Sequence, residues 1–247
     1  MLLTPNGLVS GVFSNRIVSF SGSGEMQIAE DIYLVSNVSP NVYILSAPSG
    51  LTLIDSGLPL QARKILSALS ELGYPDKRLE RILITHADFD HVGSLAAVKS
   101  AAGASIAANP IEARAIETGR PSREIGTNRL MRAAMSRLTA FTGQKPARVD
   151  VQLSDGEVLP LLGGLRVIYT PGHTPGHISL WSPSRRILFA GDSISVRNGR
   201  LRENTHFVWD PALMKAPFRE QRELNPALVC AGHGWTDKGF GHEVFEG

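Results

Sequence analysis

The sequence predicts a layered α/β fold, in which helices cover β-sheets. Short runs rich in Val, Ile and Leu, bounded by Gly, Pro, Ser or Asp, are typical of strands. Segments with apolar residues at helical spacing lie between some of these runs. The two kinds of segment are mixed in two similar halves of the chain, which favours sheets flanked by helices over an all-helical or all-β fold.

The strand predictions rest on short, β-branched sequences with turn residues at both ends. Such runs are too short for typical helices. The predicted strands are 32–35, 42–45, 51–54, 82–84, 105–108, 165–169, 178–181, 186–190 and 227–231.

Three helices are predicted outside the central part of the chain. Apolar residues recur at helical spacing in 61–72, and Gly73 follows as a C-cap. Small residues predict a second helix over 92–102 that ends at Gly103. A third helix is predicted over 211–224, where Asp210 suits the N-cap position and Pro211 suits the first helical position.

Composition limits the classes of function. The chain has 247 residues, 43% of them hydrophobic, and we take 1–247 as a single domain. Its net charge of only +2 does not favour nucleic acid as a partner. The one cysteine, Cys230, excludes a disulfide framework and a Cys-rich zinc site. The sequence has neither an apolar run of about 20 residues nor a signal peptide pattern, which predicts a cytoplasmic protein without a membrane span. The sequence is compatible with a monomer and with a homodimer.

Histidine and aspartate residues follow the predicted strands closely, usually beside a glycine. A lone His or Asp in such a loop is normally a turn residue or a cap. Here, however, five of the seven histidines lie in only three such loops, which favours a shared metal site at the carboxyl ends of the strands. The five histidines are His86, His91, His173, His177 and His233.

The ordered motifs around these residues resemble the metallo-β-lactamase superfamily. They are LTLIDSG (51–57), THADFDH (85–91), TPGHTPGH (170–177), GDS (191–193) and AGHG (231–234). The resemblance implies a four-layer αββα sandwich, in which two mixed β-sheets are flanked by helices and the metal centre lies at one edge. It also implies a metallohydrolase with two divalent transition metal ions, of which zinc is the commonest in the family.

The resemblance further implies a role for each motif residue. One metal site would use His86, Asp88 and His173, and the other would use Asp90, His91 and His233, with Asp192 bridging both. A metal-bound hydroxide would be the nucleophile, oriented by Asp90 as the catalytic carboxylate. Asp55 and His177 would hold the ligands in orientation rather than bind metal.

Asp88 departs from the commoner family pattern HxHxDH, because this chain reads HxDxDH. A carboxylate is a harder ligand than imidazole and adds a negative charge, which makes manganese or iron candidates beside zinc. Three interpretations are open: Asp88 binds metal directly, it holds a ligand or water in place, or it leaves the first site weak so that only one metal binds. We favour direct ligation.

A basic segment, residues 109–148, separates the two halves. It has eight basic and three acidic residues, and 125–141 predicts a helix with an arginine face. One interpretation is a covering helix with solvated arginines. The other is a lid over an anionic small-molecule substrate. The candidate substrate-binding residues are Arg129, Arg132 and Met135 in this insert and His206 and Trp209 in the stretch 201–210.

The leading functional hypothesis is metal-dependent hydrolysis of a small ester, lactone or thioester. A phosphodiesterase or nuclease activity is the first alternative, favoured by the basic insert and opposed by the low net charge. A mononuclear iron redox enzyme of the same fold is the second, kept open by Asp88. A non-catalytic binding protein is the third, and the nearly complete set of metal-ligand residues opposes it.

Overall fold

Two β-sheets lie face to face, and helices pack on the outer surface of each. The computed structural model describes residues 10–13, 16–20, 25–72, 78–123, 145–198 and 200–234. The first sheet is mixed: its strands β1 to β6 pair antiparallel, and β6 to β9 pair parallel. Its strands are β1 (Ser10–Phe13), β2 (Arg16–Phe20), β3 (Glu25–Ala29), β4 (Ile32–Val35), β5 (Tyr43–Ala47), β6 (Gly50–Ile54), β7 (Leu79–Ile84), β8 (Ser105–Ala108) and β9 (Val151–Gln152).

The second sheet is also mixed. Strands β10 to β14 pair antiparallel in chain order, and β15 pairs parallel with β13. Its strands are β10 (Val158–Leu159), β11 (Leu165–Tyr169), β12 (Ile178–Ser182), β13 (Ile187–Arg197), β14 (Arg200–Glu203) and β15 (Leu228–His233).

Two of the predicted helix caps are present in the described residues. Asp210 caps the last helix through its side chain, which accepts hydrogen bonds from two backbone N–H groups, and Pro211 follows. Gly103 ends the third helix at a φ of 70°. The helices are α1 (Ala62–Glu71), α2 (Phe89–Val92), α3 (Leu95–Ala102), α4 (Pro110–Thr118) and α5 (Pro211–Glu223).

Strand alternation builds the layers. Leu45 and Phe189 point into the core between the two sheets. The neighbouring Ile44 points to the opposite face of its strand, where α1, α3 and α4 contribute Ile65, Val98 and other buried residues. Leu188 likewise points outward, where residues of α5 pack on the second sheet. These three cores confirm the αββα sandwich.

All nine predicted strands are present, and the three predicted helices form within a few residues of the expected bounds. Strands β1, β2, β3, β9, β10 and β14 were not predicted, nor were α2 and α4. Gly73 and the predicted helix over 125–141 lie outside the described residues. In the part of the chain that is described, no helix has the length and apolar character needed to cross a bilayer.

Candidate metal centre

The residues predicted as ligands meet at one edge of the sandwich. His86 and Asp88 follow β7, and α2 carries Asp90 and His91. His173 lies in the loop between β11 and β12. Three groups of donor atoms lie within 4.8 Å of one another: His86, Asp88 and His173; His86, His91 and Asp192; and Asp90, His91 and His233.

Two positions correct the expectation that every ligand residue follows the end of a strand. β13 continues to Arg197, so Asp192 lies inside this strand, and β15 includes His233. The register between β13 and β15 shifts on both sides of Gly191. This irregularity lets a residue within a paired strand present its side chain at the site.

A chain of hydrogen bonds fixes which nitrogen of His86 and His91 faces the centre. The Thr85 hydroxyl donates to Asp55 Oδ2 at 2.8 Å, so it can only accept from His86 Nδ1, 3.0 Å away. His91 Nδ1 donates to the same Asp55 oxygen at 2.9 Å. In the neutral form of each ring, Nε2 therefore carries no proton and is available as a ligand.

His177 is held differently, because both of its ring nitrogens have protein partners. Its Nε2 accepts the backbone N–H of Asp192 at 3.0 Å, and its Nδ1 lies 2.8 Å from the Thr170 hydroxyl. Burial is the main cause that lowers the pKa of His177, to about 3, so the ring stays neutral. His177 thus anchors the backbone of Asp192 and does not offer a ligand atom.

Asp192 lies at the middle of the cluster. Its Oδ1 lies 3.4 Å from His91 Nε2, and its Oδ2 lies 3.5 Å from His173 Nε2 and 3.4 Å from His233 Nε2. The neighbouring imidazoles hold the pKa of this buried carboxyl far below its usual range. Asp192 therefore contacts histidines in both halves of the cluster. His233 Nε2 also lies 3.2 Å from Asp90 Oδ2.

The buried donor atoms at this edge fit a metal ion. His86 Nε2, His91 Nε2 and Asp192 Oδ1 are buried and have no hydrogen-bond partner. Buried polar atoms are normally paired, so orphaned atoms that lie this close together indicate a binding site for an ion. Imidazole and carboxylate donors suit zinc, iron or manganese.

Asp88 and Arg123 form a largely buried ion pair that sequence reasoning missed. Arg123 Nη1 donates to Asp88 Oδ1, and Nη2 donates to Asp88 Oδ2 at 2.7 Å. Asp88 Oδ2 also lies 3.1 Å from His173 Nε2 and 3.7 Å from His86 Nε2. Burial raises the pKa of Asp88, but hydrogen bonds from His173 and Arg123 outweigh this and lower it to about 2.

Glu112, on α4, is a second missed residue and connects two ligand loops. Its Oε2 accepts the N–H of Ala87, between His86 and Asp88, at 2.8 Å. Its Oε1 accepts from the Thr174 hydroxyl at 2.7 Å and from the Gly176 N–H at 2.8 Å, beside His173. The start of the basic insert is therefore built into the site, because both Glu112 and Arg123 belong to it.

The aromatic stretch after β14 passes close to the site. The backbone N–H of Trp209 donates to the backbone carbonyl of His173 at 3.1 Å. The backbone carbonyl of Phe207 accepts from Arg123 Nη2 at 2.9 Å. Phe207 and Trp209 are 67% and 43% exposed, so they are not buried anchors. His206 is exposed. The other candidate substrate-binding residues, Arg129, Arg132 and Met135, lie outside the described residues.

Gly232 leaves just enough room for Asp192. A Cβ atom added at Gly232 would overlap Asp192 Oδ1 and lie 2.9 Å from His91 Cε1. We expect Gly232→Ala to displace Asp192 and to lower the metal content measured by elemental analysis by at least half. Gly103→Ala is the control, because its added Cβ meets no atom within 4 Å and its positive φ costs stability only. Equal metal content in the two variants would contradict this role of Gly232.

The sequence and the fold agree on the family. A sequence model of the Metallo-beta-lactamase superfamily matches residues 36–233. The chain belongs to this superfamily. "Probable metallo-hydrolase YflN" of Bacillus subtilis (strain 168) is 27% identical over 247 residues, which cover 92% of each chain. A "Hydroxyacylglutathione hydrolase" of Rhodopseudomonas palustris (strain BisB5) is 31% identical over 215 residues, 85% of this chain and 68% of that one.

Solved structures share the metallo-beta-lactamase fold. A metallo-beta-lactamase with a HARLDQ motif from Cronobacter sakazakii has a TM-score of 0.65 at 24% identity, covering 85% of this chain and 78% of that chain. BJP-1, a subclass B3 metallo-beta-lactamase of Bradyrhizobium japonicum, has a TM-score of 0.63 at 23% identity, covering 84% and 76%. Superfamily membership and the donor set identify a metallohydrolase.

Proposed function

We propose that this metallohydrolase cleaves a small ester, lactone or thioester, with a thioester as the first candidate. The observation that carries the proposal is the convergence of buried, unpartnered imidazole and carboxylate atoms at one edge of the sandwich. The similarity to hydroxyacylglutathione hydrolases over 85% of the chain supports the thioester, because an acyl group joined to glutathione is carried on sulfur.

We assign two metal sites to the cluster. His86, Asp88 and His173 would hold one divalent ion, and Asp90, His91 and His233 would hold the other, with Asp192 between them. When bound, the ions supply an activated water for attack on the carbonyl and positive charge for the developing oxyanion. The chain's own contribution is to fix the ligands: Asp55 orients His91 and, through Thr85, His86.

Asp90 is the catalytic carboxylate in this proposal. Its side chain is 21% exposed, and its Oδ2 faces His233 Nε2 at 3.2 Å. A carboxylate at the open side of the centre can accept a proton from the attacking water and orient it toward the substrate. The exposed Trp209, together with His206, would lie on the substrate side, and Arg129, Arg132 and Met135 are assigned to the same role from sequence.

A small substrate panel tests the bond class. We expect protein loaded separately with zinc, manganese or iron to hydrolyse an acyl-glutathione thioester, a γ-lactone or a nitrophenyl ester, and to leave bis-p-nitrophenyl phosphate intact. Asp90→Asn should reduce this turnover on the order of a hundredfold or more, because a positioned proton acceptor contributes that much. Cleavage of the phosphodiester alone would contradict the proposal and favour a phosphodiesterase or nuclease. Oxygen uptake with iron and a thiol-derived persulfide would favour the iron redox enzyme instead.

A further inference from the structure

The pair formed by Asp88 and Arg123 is buried and closed to solvent on the arginine side. The Arg123 side chain is 1% exposed and the Asp88 side chain is 18% exposed. The two guanidinium nitrogens meet the two carboxylate oxygens, which is the parallel fork that arginine forms with a carboxylate. A buried guanidinium needs such a partner, because an unpaired buried charge is strongly unfavourable.

The geometry divides the two oxygens of Asp88 between two tasks. Oδ1 faces Arg123 Nη1, whereas Oδ2 faces both Arg123 Nη2 and the imidazoles of His173 and His86. Only Oδ2 is therefore in position to reach a metal ion. The fork leaves no freedom for the carboxylate to rotate and present both oxygens to the same ion.

The charge of the pair matters as much as its geometry. Asp88, Asp90 and Asp192 bring three carboxylates to the cluster. The positive charge of Arg123 offsets the negative charge of Asp88 at contact distance, so the pair as a whole adds no net charge to the metal site. Arg123 Nη2 also donates to the Phe207 carbonyl at 2.9 Å, which ties the same unit to the aromatic stretch at the rim.

We propose that Arg123 is a positioning residue that makes Asp88 a one-oxygen, charge-compensated metal ligand, so that residues 88 and 123 act as one unit. The inference rests on the metal centre of the proposed function and adds a residue from the basic insert to it. It requires that the effect of changing Arg123 depends on what occupies position 88.

A double-mutant cycle tests this dependence. The variants are Asp88→His, Arg123→Met and the double variant. The measurement is the zinc affinity of each of the two sites, determined by competition with a chelator. Asp88→His alone supplies a neutral ligand but leaves the guanidinium unpaired beside the metal, so we expect the affinity of one site to fall at least tenfold. Adding Arg123→Met should recover at least tenfold, whereas the same change in the native background should give no such gain.

The matched control is Arg120→Met, three residues earlier and exposed to solvent. It should leave both affinities unchanged in either background. Equal effects of Arg123→Met in the two backgrounds would overturn the inference, as would native affinity in Asp88→His alone. If native protein binds no metal, the proposed function fails instead, so the two failures are distinguishable.

A cobalt spectrum provides a readout that does not depend on the Asp88→His variant. Arg123→Lys keeps the positive charge but cannot form the fork, so Asp88 becomes free to present both oxygens. The intensity of the visible bands of cobalt falls as its coordination number rises, and we expect weaker bands in cobalt-loaded Arg123→Lys than in the native protein. A spectrum identical to the native one would contradict the one-oxygen assignment.

Discussion

Asp192→Asn is expected to cause the largest loss of function of any single substitution in the described site. The carboxylate faces His91 with one oxygen and His173 and His233 with the other, so it contacts both proposed metal sites. Asparagine supplies one oxygen and turns an NH₂ group toward a metal ion. We expect metal binding to fall at both sites and kcat/KM to fall by about 10³-fold, equivalent to about 4 kcal/mol.

Asp155→Asn is the control for this prediction. Asp155 lies in an exposed turn, where its Oδ1 accepts the Tyr169 N–H at 2.8 Å, and an asparagine oxygen can accept the same bond. It should keep native metal content and native turnover. An Asp192→Asn protein that keeps two equivalents of metal would show that Asp192 does not bridge the ions.

Asp55→Asn is expected to weaken metal binding strongly, although Asp55 lies behind the ligands. Asp55 accepts hydrogen bonds from the backbone and the hydroxyl of Thr85 and from His91 Nδ1. Asparagine replaces one acceptor oxygen with a donor, so either His91 or Thr85 loses its partner and a ligand ring can turn. We expect metal affinity to fall by about 10- to 100-fold, the usual cost of losing a partner behind a ligand.

The conformation of Asp55 permits a closely matched control. Asp55 has a φ of 60°, and so does Asp31, whose side chain is 40% exposed. Asparagine tolerates this left-handed conformation, so neither substitution adds backbone strain. Asp31→Asn should leave metal affinity unchanged. If both variants bound metal as tightly as the native protein, Asp55 would have no role in ordering the ligands.

The layered fold was predictable because its central strands carry a strong local signal. Strands such as β5, β6 and β12 are buried on both faces, so their sequences are mostly apolar. β14 reads RLRE and depends on its pairing with the long β13, while β9 and β10 have two residues each. Their short or polar sequences gave no such signal.

The candidate site was predictable where its residues follow strands, and not where they act from a distance. Glu112 and Arg123 reach loops 25 to 84 residues away along the chain, and no local pattern specifies such a contact. One signal was present for Glu112, because it shares the buried face of α4 with Ile116, one turn later. A carboxylate on an apolar helix face needs a buried partner.

Arg123 also changes the interpretation of Asp88. The sequence indicated an extra negative charge in the ligand set, which favours manganese or iron and weakens the metal as a Lewis acid. The structure places a guanidinium on that carboxylate, so the added charge is offset at contact distance. Zinc therefore stays as good a candidate as in sites with neutral ligands at this position.

Elemental analysis of the purified protein, combined with turnover before and after chelation, tests the central claim most directly. The account predicts two equivalents of zinc, manganese or iron per chain, loss of ester or thioester turnover on chelation, and recovery when metal is returned. A protein that holds no metal and gains no activity from any of the three ions would contradict it.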